Sequence, residues 1–151
     1  MAAAAFSVLL WPSVAASASP FSTLDGAWAG SGRVNFEGDR NERLVCRAYY
    51  NSKDGGSGLG LAIRCASTSY KIEMRAALVY SGGRVSGTWE ERTYNAAGTM
   101  KGEAGSSTMH IDFSGNVSGK MSLDFSQSKQ KVSISALGGG AADIHLNLTR
   151  R

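Results

Sequence analysis

The sequence predicts an all-β protein, an antiparallel up-and-down β-barrel of about ten strands with one hairpin disulfide. The chain repeats a stretch of alternating apolar and polar residues followed by a short turn of Gly, Asn or Ser, which is typical of consecutive antiparallel hairpins. Each stretch has one apolar face, and no stretch has the helical spacing that would supply a covering layer. A sheet closed on itself would bury these faces, with a two-sheet sandwich as the alternative.

The two cysteines of the chain lie symmetrically in one predicted hairpin. The turn-rich segment 51–58 separates its two strands, and folding about the middle of that turn sets Cys46 opposite Cys65. Facing Cβ atoms of an antiparallel pair lie about 4.5–5.5 Å apart, so modest adjustment closes a disulfide. The bridge would close a loop of about 20 residues, stabilise the fold by about 3 kcal/mol and indicate an oxidising compartment.

Residues 1–18 are predicted to be a signal peptide. Residues 1–10 are mostly apolar, Pro12 interrupts them, and Ala-Ser-Ala at positions 16–18 has the small-x-small pattern that signal peptidase recognises. A membrane anchor would need about 20 apolar residues, which is more than residues 1–10 supply. The signal is atypical in one respect, because no basic residue precedes Arg33. Cleavage leaves residues 19–151 as a single β-barrel domain that is secreted or periplasmic.

The strands follow one another in chain order, each ended by a turn signal. The first ends at the charged segment 37–42, the second and third flank the 51–58 turn, and Gly-Gly at 82–83 ends the fourth. Short segments rich in Gly, Ser, Asn or Ala separate the others. The predicted strands are Ala27 to Phe36, Arg43 to Tyr50, Leu59 to Ala66, Ser69 to Tyr80, Arg84 to Tyr94, Thr99 to Ala104, Thr108 to Phe113, Val117 to Phe125, Lys131 to Leu137 and Asp143 to Arg150.

Strand parity separates the two faces, because successive side chains point to opposite sides. The fourth strand is the clearest case: Tyr70, Met74 and Leu78 share one face, while Lys71 and Arg75 share the other. Five glycines also have inward parity, namely Gly30, Gly32, Gly87, Gly102 and Gly119. Glycine inside barrel strands is typical of the kinks that let a sheet curl, so we interpret them as kinks and not as the walls of a pocket.

Inward side chains form a candidate ligand pocket, although each also serves the core. They are Tyr50, Tyr70, Met74, Tyr80, Trp89, Glu91, Met109 and Met121. Methionine adapts to irregular space, so a modest apolar cavity is compatible with this set. Glu91 shares parity with Trp89, and its carboxylate is expected at a wet strand end or in an ion pair, because a buried charge must be paired.

The outward faces of neighbouring strands form a candidate anion face, made of Arg43, Arg47, Arg64, Lys71 and Arg75. The cysteine register sets Arg47 opposite Arg64, and like charges in that position are destabilising. Neutralisation by Glu73 and nearby acidic turn residues is the simpler explanation, and an anionic envelope component is the alternative. The net charge is +4 and the basic residues form no run, which argues against a nucleic-acid partner.

No pattern in the sequence predicts catalysis, a metal site or a cofactor. Both cysteines are assigned to the bridge, and His110 and His145 fall on polar faces. Glu90 and Glu91 are adjacent, so they point to opposite sides of a strand and do not form a general acid and base pair. We therefore expect a protein that is not an enzyme.

The two ends of the chain resemble the calycin group of lipocalin-like barrels. Gly26-Ala27-Trp28 opens the first strand, and Arg150 closes the last one with inward parity. The resemblance implies that Trp28 and Arg150 form a structural cation–π closure. The chain is also similar to uncharacterised secreted or periplasmic proteins of alphaproteobacteria, in Cys46-Arg47, Cys65-Ala66-Ser67 and Gly87-Thr88-Trp89-Glu90-Glu91; that likeness implies no activity.

Two families with known functions are similar as well. Residues 26–32 and 145–150 resemble nitrobindin, a haem-binding barrel whose iron ligand is an inward histidine near the C-terminus, but parity places His145 outside. Small periplasmic protease-inhibitor barrels also pair an early Gly-x-Trp with a disulfide, yet only Ser19 to Leu24 is available as an inhibitory arm. We expect a monomer that binds a small apolar ligand inside the barrel or an anionic envelope component, with protease inhibition and haem binding as alternatives.

Overall fold

The computed structural model describes residues 9–13, 19–137 and 140–151, so the predicted signal peptide is largely outside the described residues. They contain one short α-helix, α1 (Phe21–Leu24), one turn of 3₁₀ helix (Asp54–Gly56) and ten strands. The strands are β1 (Gly26–Phe36), β2 (Asn41–Lys53), β3 (Gly58–Ala66), β4 (Lys71–Ser81), β5 (Arg84–Glu91), β6 (Ala96–Ala104), β7 (Thr108–Gly115), β8 (Ser118–Phe125), β9 (Lys129–Leu137) and β10 (Ala141–Arg150). None of the described helices is long and apolar enough to cross a membrane.

The strands close into a single antiparallel barrel. Each strand pairs with its neighbours in sequence, and β1 pairs with β10. This order confirms the predicted up-and-down barrel and excludes the sandwich. Cys46 faces Cys65 in the ladder between β2 and β3, and the two form a disulfide with a sequence separation of 19. The register predicted from the hairpin is therefore confirmed.

Several strands extend beyond their predicted ends, because the ladders continue into the turn segments. The fifth strand is shorter than predicted: β5 ends at Glu91 and not at Tyr94, because residues 92–95 form a turn. β6 begins at Ala96, earlier than predicted, since Ala96 pairs with Glu91 of β5. β9 begins at Lys129, which brings Gln130 into the sheet opposite Leu148. The earlier start of β9 thus adds a polar residue, Gln130, to the inward face of the barrel.

Two glycines let β1 and β10 approach closely where the barrel closes. A Cβ atom on Gly32 would lie 1.7 Å from the carbonyl oxygen of His145, and one on Gly30 would lie 1.9 Å from that of Asn147. These are backbone atoms, so no side-chain movement would relieve the overlap. The structure thus supports the interpretation of inward glycines as sites of sheet curvature.

The helix α1 closes one end of the barrel, which we call the base. The sequence predicts no helix, and that prediction is wrong for these residues, because a single turn is too short to show helical periodicity. Phe21 and Leu24 are fully buried. Phe21 packs edge to face against Tyr80, with ring centroids 5.9 Å apart. Residues 21–24 are therefore part of the core.

Trp28 and Arg150 hold α1 against the barrel. The Trp28 indole N–H donates to the carbonyl of Leu24 at 2.8 Å, and the Arg150 guanidinium carbon lies 4.3 Å from the Trp28 ring centroid. The guanidinium also donates to the carbonyls of Thr23 and Asp25 and to a carbonyl in the turn between β8 and β9. These charge-assisted hydrogen bonds join both ends of the chain at the base.

Candidate ligand site

The end of the barrel opposite the base, which we call the mouth, has no covering helix among the described residues. Phe36, Tyr70 and Tyr94 form an aromatic rim along one side of it. Tyr70 packs edge to face against Phe36 at 5.5 Å and stacks on Tyr94 at 5.4 Å between ring centroids. The Arg40 guanidinium lies 4.3 Å from the Phe36 ring and extends this line of contacts.

Glu42 holds the turn that carries Tyr70. Its carboxylate accepts hydrogen bonds at 2.6 Å from each of the Ser67 and Ser69 hydroxyls, and these bonds lower the pKa of Glu42. The Ser67 hydroxyl oxygen in turn accepts from the backbone N–H of Tyr70 at 3.1 Å. Burial, with smaller contributions from Tyr94 and a nearby carboxylate, raises the pKa of Tyr70 to about 12. The rim hydroxyl is therefore neutral at physiological pH.

Glu91 fixes the turn that carries Tyr94. Its carboxylate accepts hydrogen bonds from the backbone N–H groups of Glu73 at 2.8 Å, Thr93 at 3.1 Å and Tyr94 at 2.7 Å. These three backbone donors satisfy the charge of the half-buried Glu91 side chain. Of the two expected environments, the strand end is the one observed: Glu91 is the last residue of β5, and backbone donors take the place of an ion pair.

Beneath the rim lies an apolar cavity of about 190 Å³, which we call the mouth cavity. Its walls are mostly aromatic, aliphatic and methionine side chains, including Trp89, Ala96, Met100 and Phe113. Trp89 packs edge to face on Phe113 at 6.0 Å, and its indole N–H donates to the carbonyl of Ser114 at 3.3 Å. Because its polar atom is satisfied, Trp89 offers the cavity an apolar surface.

A smaller cavity of about 60 Å³, the inner cavity, lies deeper toward the base. Its walls include Leu24 of α1, Tyr50 and Met109, and none of its lining side chains is charged. The residues that line both cavities are Ile72, Met74, Met121, Ile134 and Ile144. Flexible methionines thus stand between two neighbouring spaces, and modest side-chain movement would join them.

Tyr50 and Gln130 form a polar pair across the barrel interior near the base. The Tyr50 hydroxyl donates to Gln130 Oε1 at 3.0 Å, and burial raises the pKa of Tyr50, which keeps the hydroxyl protonated. Gln130 is 2% exposed, and its Nε2 has no hydrogen-bond partner among the described residues. The sequence did not reveal this pair, because the predicted strand began one residue later, although the inward parity of Val132 extends back to Gln130.

The structure separates the predicted pocket residues into three groups. Tyr70, Met74, Trp89, Glu91 and Met121 line the mouth cavity. Tyr50 and Met109 line the inner cavity, together with Met74 and Met121. Tyr80 instead packs against Phe21 at the base and lines neither cavity. The mouth cavity adds residues outside the predicted set, notably Tyr94, Ala96, Met100 and Phe113.

The predicted anion face lies on the outer surface of β2, β3 and β4. Arg47 faces Arg64 in the ladder, and Arg64 forms an exposed ion pair with Glu73 at 3.1 Å. Arg43 donates to a serine hydroxyl on β1 at 3.3 Å. The remaining residues of this face, Lys71 and Arg75, are exposed. One of the two facing arginines therefore already has a counterion, at a contribution of up to about 1 kcal/mol.

A polar groove of about 1040 Å³ runs over the outer face of the sheet from β4 to β10. His110 and His145 lie in it, both exposed, and His145 Nδ1 is 3.2 Å from the Ser133 hydroxyl. In the described part of the chain, no group of three His, Cys, Asp or Glu side chains is arranged to hold a metal ion. His145 thus lies outside the barrel, as strand parity predicts.

No protein-family model and no curated protein matches this sequence. The fold is similar to that of Rv2717c from M. tuberculosis, with a TM-score of 0.67 and 14% identity over 86% of this chain and 93% of that chain. It is also similar to the S-type phycobiliprotein lyase CPES from Guillardia theta, with a TM-score of 0.52 and 13% identity over 85% of this chain and 88% of that chain. Both structures are consistent with a lipocalin-like barrel, and at these identities the likeness concerns the fold alone.

Proposed function

We propose that this protein is a non-enzymatic binding protein that holds a small apolar ligand in the mouth cavity. The observation that carries the proposal is the apolar space of about 190 Å³ beneath the aromatic rim. Ligand pockets are typically concave and mostly apolar, with a few polar groups that orient the ligand. The mouth cavity has this composition, with Tyr70, Glu91 and Tyr94 among its lining residues as those that carry polar groups.

The cavity volumes limit the size of this ligand. The mouth and inner cavities measure about 190 and 60 Å³, whereas sites for drug-sized molecules measure about 300–1,000 Å³. We infer a ligand no larger than a short unbranched chain or a single ring. Removal of its apolar surface from water would supply the binding free energy, at about 25 cal/mol for each Å² buried.

We further propose that the protein acts as a monomer outside the cytoplasm. The Cys46–Cys65 disulfide supports an oxidising compartment such as the periplasm or the cell exterior. Closure of β1 onto β10 supports a monomer, because a closed barrel leaves no unpaired sheet edge for a second copy. The alternating placement of basic residues supports the expectation that nucleic acid is not a partner.

The competing functions have less support. Protease inhibition through an N-terminal arm would need Phe21 and Leu24 to be free, and both are buried in the base. Haem ligation by His145 would need an inward ring, and this residue is exposed on the outer face. Binding of an anionic envelope component would rest on Arg47, Lys71 and Arg75 on the open outer surface, because Arg64 is already paired with Glu73.

Ala96→Phe is expected to abolish binding of a small apolar probe, because Ala96 is a buried wall residue of the mouth cavity. Its neighbour Ala97 is exposed on the outer face of the same strand, so Ala97→Phe adds the same ring outside the barrel. We expect n-hexane and hexan-2-one to bind the wild type and Ala97→Phe, and Ala96→Phe to lose at least about tenfold in affinity. Titrations followed by NMR measure these affinities.

The thermal unfolding of both variants is the control. Ala96→Phe fills existing space, so we expect it to destabilise the fold by less than the roughly 1–3 kcal/mol of a ring forced into a packed core. Equal affinities of the two variants for n-hexane would contradict binding in the mouth cavity. Retained ligand is a further readout, since native mass spectrometry of the protein from its own host should detect it on the wild type.

A further inference from the structure

We propose that Tyr50 and Gln130 form a polar subsite at the floor of the barrel that binds an uncharged hydrogen-bond acceptor, such as a ketone or ester carbonyl, at the inner end of the ligand. This inference rests on the proposed function and narrows its ligand class. It assigns the apolar part of the ligand to the two cavities and its single polar group to Gln130 Nε2.

The first observation is an unsatisfied donor deep in the protein. Gln130 is 2% exposed, its Oε1 accepts from Tyr50, and its Nε2 has no partner among the described residues. Exchanging the two amide atoms does not remove the problem, because a single hydroxyl partner satisfies only one of them in either orientation. Buried polar groups are normally hydrogen-bonded, so an orphan at this depth indicates a partner that the protein itself does not supply.

The second observation is the position of the pair beside the inner cavity. Tyr50 lines that cavity, and Gln130 lies one inward position from Val132, which also lines it. The inner cavity in turn shares wall residues with the mouth cavity. A chain that enters at the mouth and reaches the end of this path therefore arrives at Tyr50, whose hydroxyl contacts the Gln130 amide.

The third observation concerns charge. The lining of the inner cavity contains no charged side chain, so a ligand carboxylate or ammonium at the floor would be left without a counterion at large cost. A neutral acceptor has no such cost and satisfies the orphaned N–H. A resident water is a weaker solution, since a buried water typically needs about three hydrogen-bond partners and the apolar lining offers few beyond this pair.

The test is a thermodynamic cycle of two probes and two proteins. The affinities of hexan-2-one and n-hexane are measured for the wild type and for Gln130→Met, which keeps the length of the side chain and removes its polar atoms. We expect the ratio of ketone to alkane affinity to fall roughly tenfold in Gln130→Met. Gln127→Met is the matched control, because Gln127 is exposed in the turn before β9 and its variant should keep the wild-type ratio.

A second measurement needs no variant. Hexan-2-one should shift the side-chain amide signal of Gln130 in ¹⁵N NMR spectra of the wild type, and n-hexane should not shift it in the same direction. If n-hexane binds and the ratio of hexan-2-one to n-hexane affinity is the same in Gln130→Met as in the wild type, the proposal of a polar subsite at the floor is wrong, while the cavity proposal stands. If neither probe binds the wild type, the proposed function itself fails.

Discussion

Gly32→Ala is expected to be among the most damaging single substitutions in this barrel. The new Cβ would lie 1.7 Å from the carbonyl oxygen of His145 and 2.8 Å from the Cα of Leu146. Both atoms belong to the backbone of β10, so the methyl group fits only if β1 and β10 separate at the seam that closes the barrel. We expect the free energy of unfolding to fall by more than about 3 kcal/mol.

Gly60→Ala is the matched control, because Gly60 also lies within a strand. The nearest atoms to its added Cβ are those of the flexible Lys53 side chain, at 3.7 and 3.8 Å. We expect its stability to stay within about 1 kcal/mol of the wild type. Denaturant unfolding of both variants with the disulfide intact measures the difference. A Gly32→Ala protein as stable as Gly60→Ala would show that the close approach of β1 to β10 is not required.

Arg150→Met is the second substitution with a large expected effect. It removes the cation over Trp28 and leaves the carbonyls of Thr23 and Asp25 without their donor. Hydrogen bonds to charged groups contribute about 1.5–3 kcal/mol each and are not additive, so we expect a loss of about 3 kcal/mol. Because these contacts hold α1, hydrogen exchange should accelerate in residues 21–28 more than in β5 to β7.

Arg151→Met controls for the loss of one positive charge at the same end of the chain. Arg151 is exposed, and it contacts the base through its backbone N–H, which donates to the carbonyl of Ala27. The free energy of unfolding of Arg151→Met should lie within about 0.5 kcal/mol of the wild-type value. If the two variants have equal stability, the hydrogen bonds and ring contact of Arg150 do not hold the base together.

Much of the fold could be predicted because strand parity and the cysteine pair are local signals. Facing positions for Cys46 and Cys65 follow from the symmetry of one hairpin, and the inward positions of Met74 and Trp89 follow from alternation. The helix α1 could not be predicted in this way, since one turn carries no periodic signal. Its burial depends on contacts with Trp28 and Tyr80 that exist only after the barrel has closed.

The candidate site was harder to predict, because turn conformation and strand ends determine it. Parity predicted that Glu91 points toward the interior, but the three backbone donors that satisfy it depend on the shape of the following turn. Tyr94 stacks on Tyr70 from that same turn, whereas the predicted strand ran to Tyr94 and its parity placed this ring on the outer face. Gln130 was missed for a similar reason, since its strand begins in a polar segment without an apolar signal.

The central claim is that the barrel interior holds an apolar ligand, and methyl NMR tests it most directly. Met74, Met100 and Met121 line the mouth cavity, whereas Val45 and Val79 are exposed on the outer surface. In protein labelled with ¹³C at methionine and valine methyl groups, n-hexane should shift the signals of these three methionines and leave both valines unchanged. Shifts confined to Val45 and Val79, with all three methionines unmoved, would contradict an interior site.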